Sequence, residues 1–178
     1  MKKNETVISG CFELEPTIFG DSRGKLVKTF HKNIFLDLGL ETNFDEEYYS
    51  ISSKNILRGL HFQLPPHDHV KCVTCLQGKI FDVVVDLRTN SKTYKQHFCI
   101  ELDAEKGNML YIPAGLAHGF YVMSETAIFL NRTTTVYNAN SEAGIKWDSC
   151  SIEWPDFNPI LSEKDKNLIT LDNFDSPF

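Results

Sequence analysis

The segment Lys79-Ile80-Phe81-Asp82-Val83-Val84-Val85-Asp86-Leu87 decides the fold of this chain. Its odd-numbered positions from 81 to 87 are all apolar, whereas its even-numbered positions alternate apolar residues with two aspartates. Because residues two apart share one face of a β-strand, the pattern predicts a strand with one purely apolar face. The two carboxylates on the other face indicate that this face lines a polar cavity.

Similar patterns recur on both sides of this segment. Apolar and β-branched runs closed by turn residues predict further strands at Glu47–Ser53, Ile56–Phe62, Lys71–Gln77, His97–Leu102, Asn108–Ile112, His118–Val122 and Thr126–Thr134. The N-terminal part is predicted as an extended segment over Thr6–Glu15, a loop over Pro16–Gly24, a short strand over Lys25–Phe30 and a helix over Asn33–Leu40. Many short strands without a βαβ rhythm favour an all-β antiparallel sandwich or barrel with a few short helices, formed by residues 1–178 as one domain.

The composition of the 178 residues is that of an ordinary soluble globular domain, with 42% hydrophobic and 24% charged residues. The net charge of −6 argues against a protein that binds nucleic acid or a membrane surface. We expect a cytoplasmic protein, because no signal peptide and no run of about 18–20 apolar residues is visible. Five cysteines, an odd number without a secreted context, predict reduced thiols.

Basic and titratable residues are concentrated around the second predicted strand. The stretch Ile56-Leu57-Arg58-Gly59-Leu60-His61-Phe62-Gln63 is followed by Lys71 and, far downstream, by Ala117-His118-Gly119-Phe120. Arginine forks onto phosphate, histidine takes a proton near neutral pH, and a lysine ammonium stabilises a developing enolate oxygen. Together these residues predict a site for an anionic, carbonyl-bearing substrate. Strict alternation, however, places Arg58 and His61 on opposite faces, so both reach one cavity only through a bend or from a strand end.

The histidines also allow a metal hypothesis. His67 and His69 form an H-x-H, and Gly107-x5-Pro113-x-Gly115-x2-His118 matches the second half of the cupin signature. Three histidines are able to hold a metal ion, as in a dioxygenase. The carboxylate that usually follows the H-x-H is absent between residues 70 and 77. A metal-dependent cupin using His67, His69 and His118 is therefore kept as the less favoured alternative.

The ordered motifs of the chain resemble those of the dTDP-4-dehydrorhamnose 3,5-epimerase family, cupin-superfamily enzymes that epimerise sugar nucleotides without a metal. The resemblance runs from about residue 12 to residue 165. The matching motifs are Phe19-Gly20-Asp21-x-Arg23-Gly24, Leu57-Arg58-Gly59-Leu60-His61-Phe62-Gln63, Val83-x-Val85-Asp86-Leu87-Arg88, Ile112-Pro113-x-Gly115-x-Ala117-His118-Gly119-Phe120, Ser124-Glu125 and Leu161-Ser162-x-Lys164-Asp165. It implies a cupin-type β-sandwich or jelly-roll barrel and a cytoplasmic homodimer that exchanges strands.

The resemblance also implies a reaction and its catalytic residues. The substrate is a nucleotide-linked 4-keto-6-deoxy sugar, and inversion at C3, C5 or both proceeds through an enolate, in deoxysugar and polysaccharide biosynthesis. His61 corresponds to the base, Asp165 orients it, and Lys71 stabilises the enolate oxygen. Without the resemblance, the structural interpretation is favoured for both: Asp165 as a carboxylate at a helix start, and Lys71 as a solvated residue on a strand.

The resemblance further implies a set of substrate-binding residues. Arg58 and Arg23 correspond to residues that hold the diphosphate, with Arg23 supplied by the partner subunit, and His118 corresponds to a residue that contacts the sugar or is fixed by a core carboxylate such as Asp82. The other family binding positions are Lys28, Glu46, Tyr48, Asn131, Tyr137, Glu142 and Lys164. No metal ion or organic cofactor is expected.

Two departures from the family pattern bear on mechanism and specificity. The general-acid tyrosine of a Phe-Leu-Tyr-Lys motif is replaced in Phe129-Leu130-Asn131-Arg132, and an amide is no acid near neutral pH. We therefore expect incomplete or slow double inversion, with the proton coming from Tyr137 or water. The base-reading pattern Gln-Asp-Asn-His is here Glu46-Glu47-Tyr48-Tyr49, and a carboxylate there favours a base with an exocyclic amine, as in CDP or GDP.

Two other functions are compatible with the same residues. A ketoisomerase would use the same enolate but move the carbonyl, and a catalytically altered nucleotide-sugar binder would have lost its chemistry together with the acid.

Lys28 and Leu26 also replace acidic and aromatic residues that follow Arg23-Gly24 in the family. The sequence therefore does not predict recognition of a thymine base.

Overall fold

The computed structural model describes all 178 residues, as an antiparallel β-sandwich of cupin type. The strands are β1 (Lys2–Glu5), β2 (Phe12–Glu15), β3 (Ile18–Asp21), β4 (Gly24–Val27), β5 (Glu46–Ser53), β6 (Leu57–Gln63), β7 (Lys71–Gln77), β8 (Lys79–Asp86), β9 (His97–Asp103), β10 (Met109–Ile112), β11 (Leu116–Val122), β12 (Thr126–Thr133) and β13 (Glu142–Gly144). The two α-helices are short, α1 (Lys32–Asp37) and α2 (Glu163–Lys166). The predicted all-β class is confirmed.

Two sheets face each other. One has the order β1-β2-β10-β7-β12-β5, the other the order β13-β6-β11-β8-β9, and every pairing between their strands is antiparallel. The alternation predicted for β8 is confirmed: Ile80 and Val84 pack between the sheets, whereas Val83 and Val85 pack on the outer side, beneath the C-terminal segment. Burial of both faces explains why this strand is almost continuously apolar.

A β-bulge between β6 and β11 decides where the charged residues of β6 point. His118 pairs with His61 and Phe120 pairs with Arg58, so three steps on β6 match two steps on β11. The extra residue shifts the alternation by one and brings Arg58 and His61 to the same side, so of the two arrangements that the sequence allowed, the bend is the one observed. Gly59, at φ +131°, crosses so close that an added Cβ would lie 2.6 Å from Cα of Gly119.

The N-terminal part differs from its prediction. The predicted loop over Pro16–Gly24 contains β3, which pairs only with β4, and the predicted strand over Lys25–Phe30 ends at Val27. Ile18, Phe19 and Leu26 are exposed on this hairpin, so no buried face imposed the alternation that sequence reasoning looks for. No helix in the structure combines the length and the apolar character needed to cross a membrane.

Candidate active site

A cavity of about 490 Å³ opens between the two sheets, and a second of about 340 Å³ adjoins it. Tyr48, His61 and Lys71 line both. The first cavity is also lined by Arg58, His118, Asn131, Lys164 and Asp165, and the second by Glu46, His69, Tyr137 and Glu142. Most of the side chains predicted for the site therefore meet in one continuous region of the sandwich.

His61 and Asp165 form a histidine–carboxylate pair in the first cavity. Nε2 of His61 lies 2.6 Å from Oδ1 of Asp165; the imidazole is 31% exposed and the carboxylate only 4%. Helix α2 places the carboxylate, because its N-cap Ser162 accepts a hydrogen bond from the backbone N–H of Asp165 at 3.0 Å. Although burial acts to raise it, the hydrogen bonds from His61 and Ser162 hold the pKa of Asp165 below its ordinary value. The ionised carboxylate therefore orients a histidine that the cavity leaves accessible.

Lys71 is the buried cation of the site. Its ammonium donates a hydrogen bond to the carbonyl oxygen of His61 at 3.0 Å. Burial lowers the pKa of Lys71 to about 8, against the opposing effect of the carboxylates of Asp82 and Glu142. Because protein groups compensate the charge of this ammonium poorly, the ammonium strongly stabilises a negative charge that develops on a substrate oxygen beside it.

His118 and Asp82 form a second pair, deeper between the sheets. Nε2 of His118 lies 3.0 and 3.1 Å from the two carboxylate oxygens, and the side chains are 5% and 0% exposed. Burial lowers the pKa of His118, which favours a neutral imidazole that donates from Nε2. Asp82 thus holds His118 in one ring orientation. Neither Asp82 nor Asp86 lines the two cavities, so the prediction that the aspartate-bearing face of β8 lines a polar cavity is wrong for these cavities, because both carboxylates are fully buried among protein groups. Asp86, in contrast, is satisfied by Arg88, Ser91 and Thr93 outside the site.

The amide of Asn131, where the family motif has its acid, holds a phenol. Asn131 on β12 pairs directly with Tyr48 on β5, and its Nδ2 donates to the hydroxyl of Tyr48 at 2.7 Å. The amide is only 1% exposed, and its Oδ1 has no hydrogen-bond partner, a burial that costs roughly 1–3 kcal/mol. Tyr137, the acid suggested by the sequence, lines only the second cavity and donates to Glu142 at 2.8 Å.

Charged residues surround the entrance to the two cavities. Arg58 is exposed and donates through Nε to Ser52 at 3.0 Å, and Lys164 forms an ion pair with Glu142. The backbone N–H of Tyr137 donates to Glu46. The entrance therefore carries cationic groups that bind an anion and a carboxylate that accepts a hydrogen bond.

Three predicted residues do not line either cavity. Arg23 is exposed at the tip of the β3–β4 hairpin and pairs with Asp21, and Lys28 follows the hairpin on the surface. Glu47, the alternative base-reading carboxylate, points to the other face of β5 and pairs with Arg132. Alternation along β5 therefore leaves Glu46 as the carboxylate that faces the second cavity.

The histidines of the metal hypothesis do not converge. The ring nitrogens of His67 contact Ser141 and Asn138, and Nδ1 of His69 contacts Thr135. No three histidine, cysteine or carboxylate side chains are grouped as a metal site would require. Burial, reinforced by Lys71, lowers the pKa of His69 to about 3, so this ring is a neutral part of the cavity wall.

Comparison with known proteins identifies the family. Residues 5–173 match the family model for dTDP-4-dehydrorhamnose 3,5-epimerase. A curated dTDP-4-dehydrorhamnose 3,5-epimerase of Shigella flexneri is 42% identical over 166 residues, which are 92% of each chain. The chain belongs to the dTDP-4-dehydrorhamnose 3,5-epimerase family.

Solved structures of the family agree with this assignment. The dTDP-4-dehydrorhamnose 3,5-epimerase of Elizabethkingia anophelis is 41% identical with a TM-score of 0.91, covering 97% of both chains. An epimerase of Legionella pneumophila, solved in complex with dTDP-4-keto-L-rhamnose, is 35% identical with a TM-score of 0.93, covering 98% of this chain and 94% of the other.

Sequence reasoning missed two features of this epimerase-family site. Ser52, which fixes Arg58, was not singled out, and Tyr48 was assigned only to base recognition. The signal for both was alternation along β5, where Glu46, Tyr48 and Ser50 line the cavities and Ser52 contacts Arg58, while Tyr49 and Ile51 are exposed on the opposite face. The five cysteines are unpaired, and Cys72 and Cys75 lie in different cores.

Proposed function

We propose that this protein is an isomerase that epimerises a nucleotide-linked 4-keto-6-deoxy sugar at C3, C5 or both, without metal or organic cofactor. The observation that carries the proposal is the half-buried, carboxylate-oriented His61 beside the ammonium of Lys71 in one cavity. A general base and a stabiliser of negative oxygen are the two groups that enolate formation requires. The family name and the ligand of the Legionella structure agree with this chemistry.

In the proposed mechanism, the C4 carbonyl of the sugar lies near Lys71. His61 removes the proton from C3 or C5, and the electron pair of that C–H bond becomes the enolate whose oxygen faces the ammonium. Asp165 accepts a hydrogen bond from Nε2 of His61 and stabilises the imidazolium that forms. His118, held by Asp82, contacts the sugar. Protonation from the opposite face completes an inversion.

The diphosphate and base are assigned to the cavity entrance. Arg58 and Lys164 bind the diphosphate, since guanidinium and ammonium groups recognise phosphate oxygens. Tyr137 and Glu142 contact the nucleoside in the second cavity. Glu46 accepts a hydrogen bond from an exocyclic amine, which favours CDP or GDP over dTDP. Titration with dTDP, UDP, CDP and GDP tests this assignment, and tight binding of dTDP alone would refute it.

The β3–β4 hairpin supports a homodimer with strand exchange. The hairpin pairs with no other strand of its own chain, and its Phe19 and Leu26 are exposed. A second subunit that packs on the hairpin would bury these apolar side chains. In such a dimer Arg23 and Lys28 reach the partner's site. Mixing Arg23→Ala with His61→Ala protomers would then rebuild one intact site in each mixed dimer, about a quarter of wild-type activity. No recovery after subunit exchange would contradict the shared site.

Deuterium incorporation tests the epimerase function directly. In heavy water we expect label at C3, C5 or both of the cognate 4-keto sugar, and His61→Ala should slow it ~10²–10⁴-fold. His31→Ala is the control, because His31 is exposed and makes no side-chain cap bond. Wild-type exchange in His61→Ala would refute the assignment. A moved carbonyl in the product would indicate a ketoisomerase, and binding without exchange a silent binder. We assign the activity to cytoplasmic deoxysugar biosynthesis.

A further inference from the structure

We infer that Tyr48 is the proton donor of this enzyme and that Asn131 positions it. The inference rests on the proposed epimerase function and adds the general acid that is absent at position 131. Tyr48 reaches the cavity from β5 at the edge of the six-stranded sheet, whereas His61 reaches it from β6 in the five-stranded sheet. A sugar ring bound between the sheets therefore meets the base on one side and the phenol on the other.

The contact between Asn131 and Tyr48 prepares the phenol for donation. Because Nδ2 of Asn131 donates to the phenolic oxygen, the hydrogen of that hydroxyl is free for the substrate. The same N–H stabilises the phenolate that remains after transfer. Partial burial and the nearby carboxylates of Glu46 and Glu142 raise the pKa of Tyr48 against the opposing effect of Asn131 and Arg58, so the group carries its proton near neutrality.

The residue types at these two positions point to an exchange of places. The resemblance implies an acid tyrosine at position 131 and an asparagine at position 48, whereas this chain carries Asn131 and Tyr48. Their direct pairing on β12 and β5 leaves the phenol in the same cavity, attached to the neighbouring strand. Burying an amide costs free energy that an apolar side chain at the same position would not. The hydrogen bond to the phenol of Tyr48 gives a functional reason for this amide.

The proposed step conserves atoms and charge. The O–H bond of Tyr48 breaks, and its proton forms a C–H bond with the carbon opposite His61. The electron pair for that bond comes from the enolate, whose carbonyl re-forms beside Lys71. The phenolate of Tyr48 regains a proton from solvent. Tyr48 is a catalytic residue in this scheme and Asn131 a positioning residue, and the supply of a phenol removes the ground for expecting slow or incomplete inversion.

The test separates inversion from exchange in heavy water. Tyr48→Phe should slow inversion ~10²–10⁴-fold while deuterium still enters recovered substrate with retained configuration, because His61 continues to remove and return protons. Tyr49→Phe is the matched control, since Tyr49 is 64% exposed on the opposite face of β5. If His61→Ala abolishes exchange but Tyr48→Phe inverts at the wild-type rate, the epimerase function stands and the role of Tyr48 is refuted. A parallel loss of exchange and inversion in Tyr48→Phe also refutes it.

A double variant tests the exchange of places and does not depend on how well Tyr48→Phe folds. Tyr48→Asn should abolish inversion, and Tyr48→Asn/Asn131→Tyr should restore it to within about tenfold of wild type, because the phenol returns to the same cavity. Asn131→Leu, which removes the positioning bond, should lower the kcat for inversion more than it raises KM. Failure of the double variant to invert, with nucleotide binding intact, would overturn the inference.

Discussion

The two histidine–aspartate pairs of the site have the same residue types but different surroundings. His61 and Asp165 meet at 2.6 Å with the ring 31% exposed, whereas His118 and Asp82 meet at 3.0 Å almost fully buried. The outer pair connects a strand to a capped helix, and the inner pair joins two neighbouring strands. Exposure lets the outer histidine exchange protons, while burial fixes the inner one as a neutral donor. One pair is built for chemistry and the other for position.

Breaking the outer pair should give the largest effect. Asp165→Asn keeps the shape but removes the charge that selects the tautomer of His61 and stabilises its protonated form. We expect kcat to fall ~10²–10⁴-fold with little change in KM, as in other histidine dyads deprived of their carboxylate. The measurement is product formation by proton NMR. Activity within a factor of three of wild type would show that His61 does not depend on Asp165.

Breaking the inner pair should affect stability instead. Asp82→Ala leaves the N–H of His118 buried without a partner and removes a countercharge of Lys71, a loss of about 3 kcal/mol in the free energy of unfolding. Asp165→Ala is the matched variant, and because water reaches His61 its cost should be only about 1 kcal/mol. Urea unfolding measures both. The comparison fails if Asp165→Ala is the more destabilised of the two.

The sequence predicted the members of both pairs better than their surroundings. Alternation in β8 placed Asp82 on the inner face, and the motifs named His61, His118 and Asp165. The sequence indicated a bend in β6 as one way to bring Arg58 and His61 together, but the position of the bulge opposite Gly59 could not be predicted, because it depends on the register between β6 and β11, strands that are far apart in the chain. The bond between Asn131 and Tyr48 escaped for the same reason, since cross-strand partners follow from register and not from local pattern.

Lys71 links the two pairs and makes the comparison sensitive to pH. Its ammonium donates to the backbone of His61, and Asp82 acts to raise its lowered pKa of about 8. The charged form stabilises the enolate, so kcat/KM should fall about tenfold per pH unit above pH 8 as the proton is lost. Asp82→Asn removes the nearby charge and should move this decline to lower pH. A rate that stays level up to pH 10 would show that the ammonium is not required.

The smallest expected effect concerns the cap that only the outer pair has. Ser162 accepts a hydrogen bond from the backbone N–H of Asp165 and so fixes the start of α2. Asp82, in contrast, lies within strand β8 and has no helix cap. Ser162→Ala should lower the free energy of unfolding by about 1 kcal/mol. The looser carboxylate should also reduce kcat a few-fold, since orientation of the base contributes to its efficiency. Thr170→Ala is the control, because Thr170 precedes the 3₁₀ turn at Leu171–Asn173 without a side-chain cap bond. If both variants behave alike in unfolding and in turnover, the cap does not position Asp165, and the outer pair is held by the contact with His61 alone.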